Sequence, residues 1–322
     1  MKRSTISSTA AVFIVLTIAF ALGVNQGLAQ VHDVAVTNIT KSKSIVGQGF
    51  SMQINVTAAN LGGFSETFNV TLNGTRLVVG TVSIHLYGSA TQGWGFTPST
   101  ITSPGPALAF HKGDLVNLTL TSQDGAPHQF FVDYNGDHSP SPGEPTSPVF
   151  TATTNYQFTA DTIGAFTYYC AIHPLLMFGT FTVTTPPTQT TQIGKQLISL
   201  NPGTSTLLAF IWNTMGYPKG NYTISAIAET VPGEANTTNN TFTDNWVIVA
   251  MVGDVSGPAG VPDGKVDIRD LAAMAKVFGV NYPDPRYNPN YDITGPTPGV
   301  ADGKIDIRDL ATAAKNFGKV DP

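Results

Sequence analysis

The sequence predicts a mainly β chain with a small helical C-terminal part, and three observations predict it. First, apolar and polar residues alternate through Asp33-Val-Ala-Val-Thr-Asn, Ser51-Met-Gln-Ile-Asn-Val-Thr, Thr67-Phe-Asn-Val-Thr-Leu and Tyr222-Thr-Ile-Ser-Ala-Ile-Ala, the period of half-buried strands. Second, Gly164-Ala-Phe-Thr-Tyr-Tyr and Gly179-Thr-Phe-Thr-Val-Thr read as consecutive strands joined by a tight loop. Third, the character changes from Gly253 onward, where ten of the 21 acidic residues fall in the last 70 positions and recur in two copies. At 322 residues the chain has room for more than one domain.

The N-terminus carries Lys2 and Arg3, an apolar run from Ala10 to Val24, then Gly27-Leu28-Ala29 with small residues at a cleavage position. Residues 1–29 therefore read as a secretory signal, too short in its apolar run for an ordinary membrane span. An exported chain meets an oxidising compartment. Its single cysteine, Cys170, forbids an internal disulfide and leaves the thiol free for a metal. Eight Asn-x-Ser/Thr sequons, at Asn38, Asn55, Asn69, Asn73, Asn117, Asn221, Asn236 and Asn239, are compatible with export. Only 11% of residues are charged, the net charge is -5 and there is no basic run, which disfavours nucleic acid as a partner.

The strand patterns of residues 30–75 and 185–250 read as two halves of one sandwich. Val56-Thr-Ala-Ala-Asn60-Leu-Gly, Leu200-Asn-Pro-Gly-Thr-Ser-Thr, Trp212-Asn-Thr, Gly220-Asn-Tyr-Thr-Ile and Asn239-Asn-Thr resemble the immunoglobulin-like, adhesion-related domain of prokaryotic surface proteins. The first half lacks closing strands and the second lacks opening ones. This implies that residues 76–184 are a second β-sandwich inserted between them, which is feasible where a guest domain's termini lie close together. Two sandwiches in tandem are the alternative topology.

The middle segment holds Gly125-Ala-Pro-His128-Gln-Phe-Phe and, about forty residues on, Cys170-Ala-Ile-His173-Pro-Leu-Leu-Met177-Phe-Gly. One thiolate, two imidazoles and one thioether make the donor set of a mononuclear blue-copper site, with two His and one Cys near a plane and Met at longer range. Zinc prefers four close donors and seldom takes thioether. A binuclear copper site needs a second Cys, and none of the six His forms the His-x-His pairs of an oxygen-reducing cluster. With Thr81-Val-Ser-Ile-His-Leu-Tyr and Lys112-Gly-Asp-Leu-Val-Asn-Leu-Thr-Leu as earlier strands, residues 76–184 resemble the cupredoxins, the plastocyanin, azurin and amicyanin family. The resemblance implies that His128, Cys170, His173 and Met177 bind copper and that the backbone N–H groups of Gln129 and Ile172 face the sulfur.

Residues 251–322 contain Gly253-Asp254-Val-Ser256, Asp263-Gly264-Lys265-Val-Asp267-Ile-Arg-Asp270 and the parallel Asp292-Ile-Thr294, Asp302-Gly303-Lys304-Ile-Asp306-Ile-Arg-Asp309. Each copy resembles the calcium loop of a dockerin repeat, since calcium takes six to eight oxygens and a glycine permits the sharp turn. The resemblance implies two calcium ions held by Asp254, Ser256, Asp263, Lys265, Asp267 and Asp270, and by Asp292, Thr294, Asp302, Lys304, Asp306 and Asp309. Insertions Pro258–Pro262 and Pro296–Ala301 lengthen both loops beyond the family's pattern. Leu271, Met274, Ala275 and Phe278, then Leu310, Ala313, Ala314 and Phe317, fall at helical spacing and are expected to pack together, with Gly279 and Gly318 as stops. Ile268-Arg269 and Ile307-Arg308 would offer a pseudo-symmetric face to a cohesin-like partner.

The expected function is extracytoplasmic one-electron transfer at a type 1 copper, by a carrier rather than an enzyme, on a surface-type sandwich with a calcium-dependent docking tail. A redox partner is expected at the apolar surroundings of His173. A copper-delivery protein, and a structural adhesin with a vestigial metal site, are the readings from other classes.

Overall fold

The computed structural model describes residues 31–321, so the expected signal, 1–29, lies outside the described residues. The alternating segments become strands β1 (Val34–Lys41), β2 (Ile45–Gly47), β3 (Ser51–Asn60) and β4 (Glu66–Leu77). The middle of the chain adds β5 (Thr81–Ser89), β6 (Gly93–Gly95), β7 (Leu108–His111), β8 (Leu115–Ser122), β9 (Phe130–Asp133), β10 (Thr153–Thr159), β11 (Gly164–Cys170) and β12 (Phe178–Thr184). Four more follow, β13 (Thr188–Leu200), β14 (Ser205–Asn213), β15 (Gly220–Ala228) and β16 (Thr241–Ala250).

Two compact units result: residues to Thr75 and from Thr190 onward make one, Arg76–Gln189 the other. In the discontinuous unit, β1-β3-β14 form one sheet and β13-β4-β15-β16-β2 a second, so strands from both ends of the sequence share each sheet. Val34, Ile54, Val56 and Phe210 from the first sheet and Phe68, Leu72, Tyr222 and Val247 from the second meet in one core, which makes a β-sandwich. Alternation explains the packing. In β14 every second residue from Leu208 to Trp212 is buried while Leu207, Ala209 and Ile211 face out.

The other unit pairs β10-β8-β5-β6 in one sheet and β7-β12-β11-β9 in the other. Leu86, Val116, Leu118 and Leu120 from the first sheet pack on Phe130, Val132, Tyr168, Phe181 and Val183 from the second. The register of the second sheet governs the site: Cys170, the last residue of β11, lies opposite Phe130, while Tyr169 lies opposite Phe178 on the other side.

The expected C-terminal dockerin-like helical domain is corrected by the structure. The tail has two helices, α1 (Ile268–Ala275) and α2 (Ile307–Ala314), of eight residues each, and belongs to the same compact unit as the sandwich. The helices are short because each stops before the aromatic residue meant to complete its apolar stripe: Phe278 and Phe317 lie in the turns that follow and are 52% and 53% exposed. Only Met274 and Ala313 are fully withdrawn from water in the helices' shared cluster, with Val255 and Ile293 from the loops. Long loops make up the rest, and they are tied to the sandwich: Lys43 Nζ donates to the carbonyl oxygen of Asp292 at 2.6 Å, and Asn290 Oδ1 accepts the N–H groups of Ser44 and Ile45, both at 3.0 Å.

Candidate metal centre

Residues two apart on a strand share a face, and directly opposed residues on neighbouring strands share it too. Cys170 opposes Phe130, so His128, two residues before Phe130, comes out on the cysteine's side of the sheet. His128 is held there by paired backbone bonds with Phe150, N–H to O at 2.8 Å in both directions. The loop after Cys170 is equally fixed. Ala171 N–H donates to the Gln129 carbonyl at 2.9 Å, Cys170 N–H to the Met177 carbonyl at 2.8 Å, and Met177 N–H to the His173 carbonyl at 3.0 Å. These bonds fold the loop back on itself and return His173 over the cysteine.

Cys170 Sγ lies 3.8 Å from His128 Nδ1 and 3.7 Å from His173 Nδ1. All three donor atoms fall within 4.8 Å of one another, and this is the only group of three or more His, Cys, Asp or Glu gathered so closely among the described residues. An ion about 2.3 Å from sulfur and about 2.0 Å from nitrogen, with the donors at about 120°, would set sulfur and nitrogen about 3.7 Å apart. The residues therefore fit a trigonal His-Cys-His metal. Met177 is wholly buried in the same core cluster as Cys170. Its methyl group occupies the space above Gly88, where an added Cβ would come within 2.8 Å of Met177 Cε.

The sulfur's surroundings favour the thiolate. Burial alone would push the Cys170 thiol up, but the hydrogen bond with His128 and those from the backbone N–H groups of Gln129, Ile172 and His173 together outweigh it, and its pKa lies below the ordinary thiol value. The Gln129 N–H is 3.4 Å from Sγ. Burial would lower the pKa of His128, yet its bonds to Cys170 and Asp124 win and raise it. The pKa of His173 is lowered by partial burial and by the neighbouring imidazole, and among the described residues no carboxylate is hydrogen-bonded to its ring. Around the site, Ile172, Leu175 and Leu176 are 41%, 89% and 44% exposed.

Sequence reasoning missed Asp124. Its Oδ1 stands 3.0 Å from His128 Nε2 and also accepts the Ala126 N–H at 3.1 Å and the Ser122 hydroxyl at 3.2 Å, while Oδ2 accepts the Ala90 N–H at 2.6 Å. The only signal in the chain was a carboxylate four residues before the histidine, in a turn where Asp is ordinary.

The residues expected to hold calcium bond to the loops' own backbone and to arginine. Asp254 accepts the N–H groups of Asp263 and Gly264, and Asp292 those of Asp302 and Gly303. Asp270 accepts from Val255, Ser256 and Asp267, and Asp309 from Ile293, Thr294 and Asp306. Arg269 bridges Asp267 and Asp263 at 2.7 and 3.5 Å, and Arg308 bridges Asp302 and Asp306 at 3.0 and 3.4 Å. The Ser256 hydroxyl donates to Asp270, Thr294 Oγ1 accepts the Gly299 N–H, and Lys265 and Lys304 form isolated bridges with Val320 and Asn281. These side chains staple the loops, and among the described residues they form no group of three whose donor atoms all lie within 4.8 Å of one another.

No protein-family model matches the sequence, and neither does any curated protein. Among solved structures the chain is similar to the CARDB domain of a Pyrococcus furiosus protein in complex with di-metal ions, at 14% identity over 69% of this chain and 92% of that one, TM-score 0.29. It is similar to auracyanin A, a blue copper protein from Chloroflexus aurantiacus, at 15% identity over 32% of this chain and 99% of the other, TM-score 0.26. A purple cupredoxin from Nitrosopumilus maritimus matches at 19% identity over 31% and 99%, TM-score 0.23.

Proposed function

We propose that this chain carries single electrons outside the cytoplasm at one mononuclear copper, held by His128, Cys170 and His173 with Met177 as a weaker donor. The observation that carries the reading is the approach of two imidazole Nδ1 atoms to one sulfur at 3.8 and 3.7 Å. Thiolate and imidazole together suit both oxidation states of copper. Strand pairing and loop bonds hold the donors, so a change in the metal's charge would meet a frame that need not rearrange. His128 and Cys170 are wholly buried, which leaves little room for a substrate and favours a carrier over an enzyme.

Export is supported by the residue pattern of 1–29 and by a lone cysteine engaged at the metal centre. Among the described residues, no helix is long and apolar enough to cross a membrane. The redox partner would dock on the apolar surface beside His173, where Leu175 is 89% exposed, because transient electron-transfer encounters need only a small interface. Voltammetry of the copper-loaded chain tests the proposal: a reversible one-electron wave is expected, and copper bound without any reversible wave would overturn it. Leu175→Lys should slow electron exchange between copies of the protein while leaving the visible spectrum alone; equal rates at matched ionic strength would remove this patch from the account.

A further inference from the structure

His128 presents its two ring nitrogens to opposite sides. Nδ1 faces the Cys170 sulfur at 3.8 Å, and Nε2 faces Asp124 Oδ1 at 3.0 Å. A carboxylate can only accept, so the proton of a neutral imidazole must sit on Nε2, and the Nδ1 lone pair is left free on the metal side. Asp124, exposed at the surface, is held by further hydrogen bonds. Ser122 at the end of β8 and Ala126 in the same turn hold Oδ1, and Ala90 just after β5 holds Oδ2. Two strands of one sheet thereby fix a carboxylate that fixes the ring of a histidine carried by the other sheet's edge.

His173 offers the contrast. It is half-buried and touches Cys170 through Nδ1 at 3.7 Å, but among the described residues no carboxylate is hydrogen-bonded to its ring. The two imidazoles are therefore not equivalent donors: one is backed by a fixed negative charge and the other is not.

We infer that Asp124 is a positioning residue that sets the Nε2–H tautomer of His128, aims Nδ1 at the metal and, by its charge, favours the oxidised over the reduced ion. The inference rests on the reading of His128 as a copper ligand. A hydrogen-bonded carboxylate raises the basicity of the ligand behind it, and loss of such a partner costs about 10- to 100-fold in metal affinity in comparable sites.

The full chain, metal-free and copper-loaded, with Asp124→Ala and Asp124→Asn, tests this. Nitrogen-15 NMR of the metal-free protein, at a pH high enough that His128 is neutral, should place its proton on Nε2, and Asp124→Ala should mix the tautomers. In Asp124→Asn the amide oxygen should stay at the Oδ1 position, where His128, Ala126 and Ser122 lie, giving up the Ala90 N–H bond to Oδ2, so the tautomer is kept while the charge is gone. Copper(II) affinity should then fall about 10- to 100-fold in Asp124→Ala and less in Asp124→Asn. The reduction potential should rise in both. If Asp124→Ala does not fold, Asp124→Asn alone decides, through a raised potential with an unchanged tautomer. An Nδ1–H tautomer in the unsubstituted protein, or an unchanged potential in folded Asp124→Asn, overturns the inference. Because the tautomer is read without metal, a failure to bind copper would defeat the carrier reading and leave the positioning of His128 separately decided.

Discussion

The metal centre and the acidic tail assemble their donors in opposite ways. At the centre, one sulfur and two imidazole nitrogens lie within 4.8 Å of one another. In the tail, eight repeated aspartates each turn to backbone N–H groups or arginine. The difference is electrostatic. Two imidazoles and one thiolate carry at most one negative charge between them, so strand pairing can bring them together at little repulsive cost. Carboxylates brought equally close repel, and burial worsens it. Burial first, with help from Asp270 and Asp263, raises Asp254 to about 6, and burial likewise raises Asp309. Between the two repeats there is a further contrast: in the second, buried Lys43 donates to the Asp292 carbonyl at 2.6 Å, while among the described residues no lysine is hydrogen-bonded to Asp254.

The largest effect that would break this comparison is at the sulfur. Cys170→Ser should abolish the intense visible absorption of the copper-loaded protein while the circular dichroism of both β units is unchanged; persistence of the same band would refute the donor assignment. Next comes Lys43→Met. Removing the ammonium strips a donor from the Asp292 carbonyl and a counter-charge from Asp292 and Asp309, and should cost about 2 kcal/mol in urea unfolding. Protease cleavage between 251 and 321 should accelerate along with it, and unaltered cleavage would show that Lys43 does not anchor the tail.

Asp254 gives a pH signature. Its folded value, about 6, lies above the unfolded value of about 3.9, so between those limits the folded chain binds more protons than the unfolded one. Stability therefore falls as pH rises from about 4 to 6, by up to about 3 kcal/mol from this residue. Asp254→Asn should flatten that slope, and an unchanged slope in denaturation at several pH values would count against it. The smallest effect is at Met177. Met177→Leu conserves volume, so stability should change by less than about 1.5 kcal/mol, yet the reduction potential should rise because a weak donor to the oxidised ion is lost. A potential that falls or stays fixed would remove Met177 from the donor set.

The residues that sequence reasoning found at the centre are those whose relation is local or set by strand register. Cys170 and His173 share one loop, and His128 precedes an apolar run, Phe130-Phe131-Val132, that reads as a strand. Asp124 stayed hidden because its role exists only once β8 and β5 bring Ser122 and Ala90 around it. In the tail, the spacing of Leu271, Met274 and Ala275 does mark a helix, but periodicity does not say where it stops. Phe278 and Phe317 extend the pattern on paper and leave it in space, because the chain turns at Gly279 and Gly318, both at positive φ, 79° and 81°. The aspartate spacing was equally visible. Its use by backbone N–H groups was not, since hydrogen-bond partners within a loop depend on the path the loop takes.

The most direct test of the central claim is a copper(II) titration of the full-length protein followed by its visible spectrum. The account predicts an intense thiolate-to-copper band that saturates at one equivalent. Copper bound at one equivalent without that band, or no copper bound at all, would contradict it.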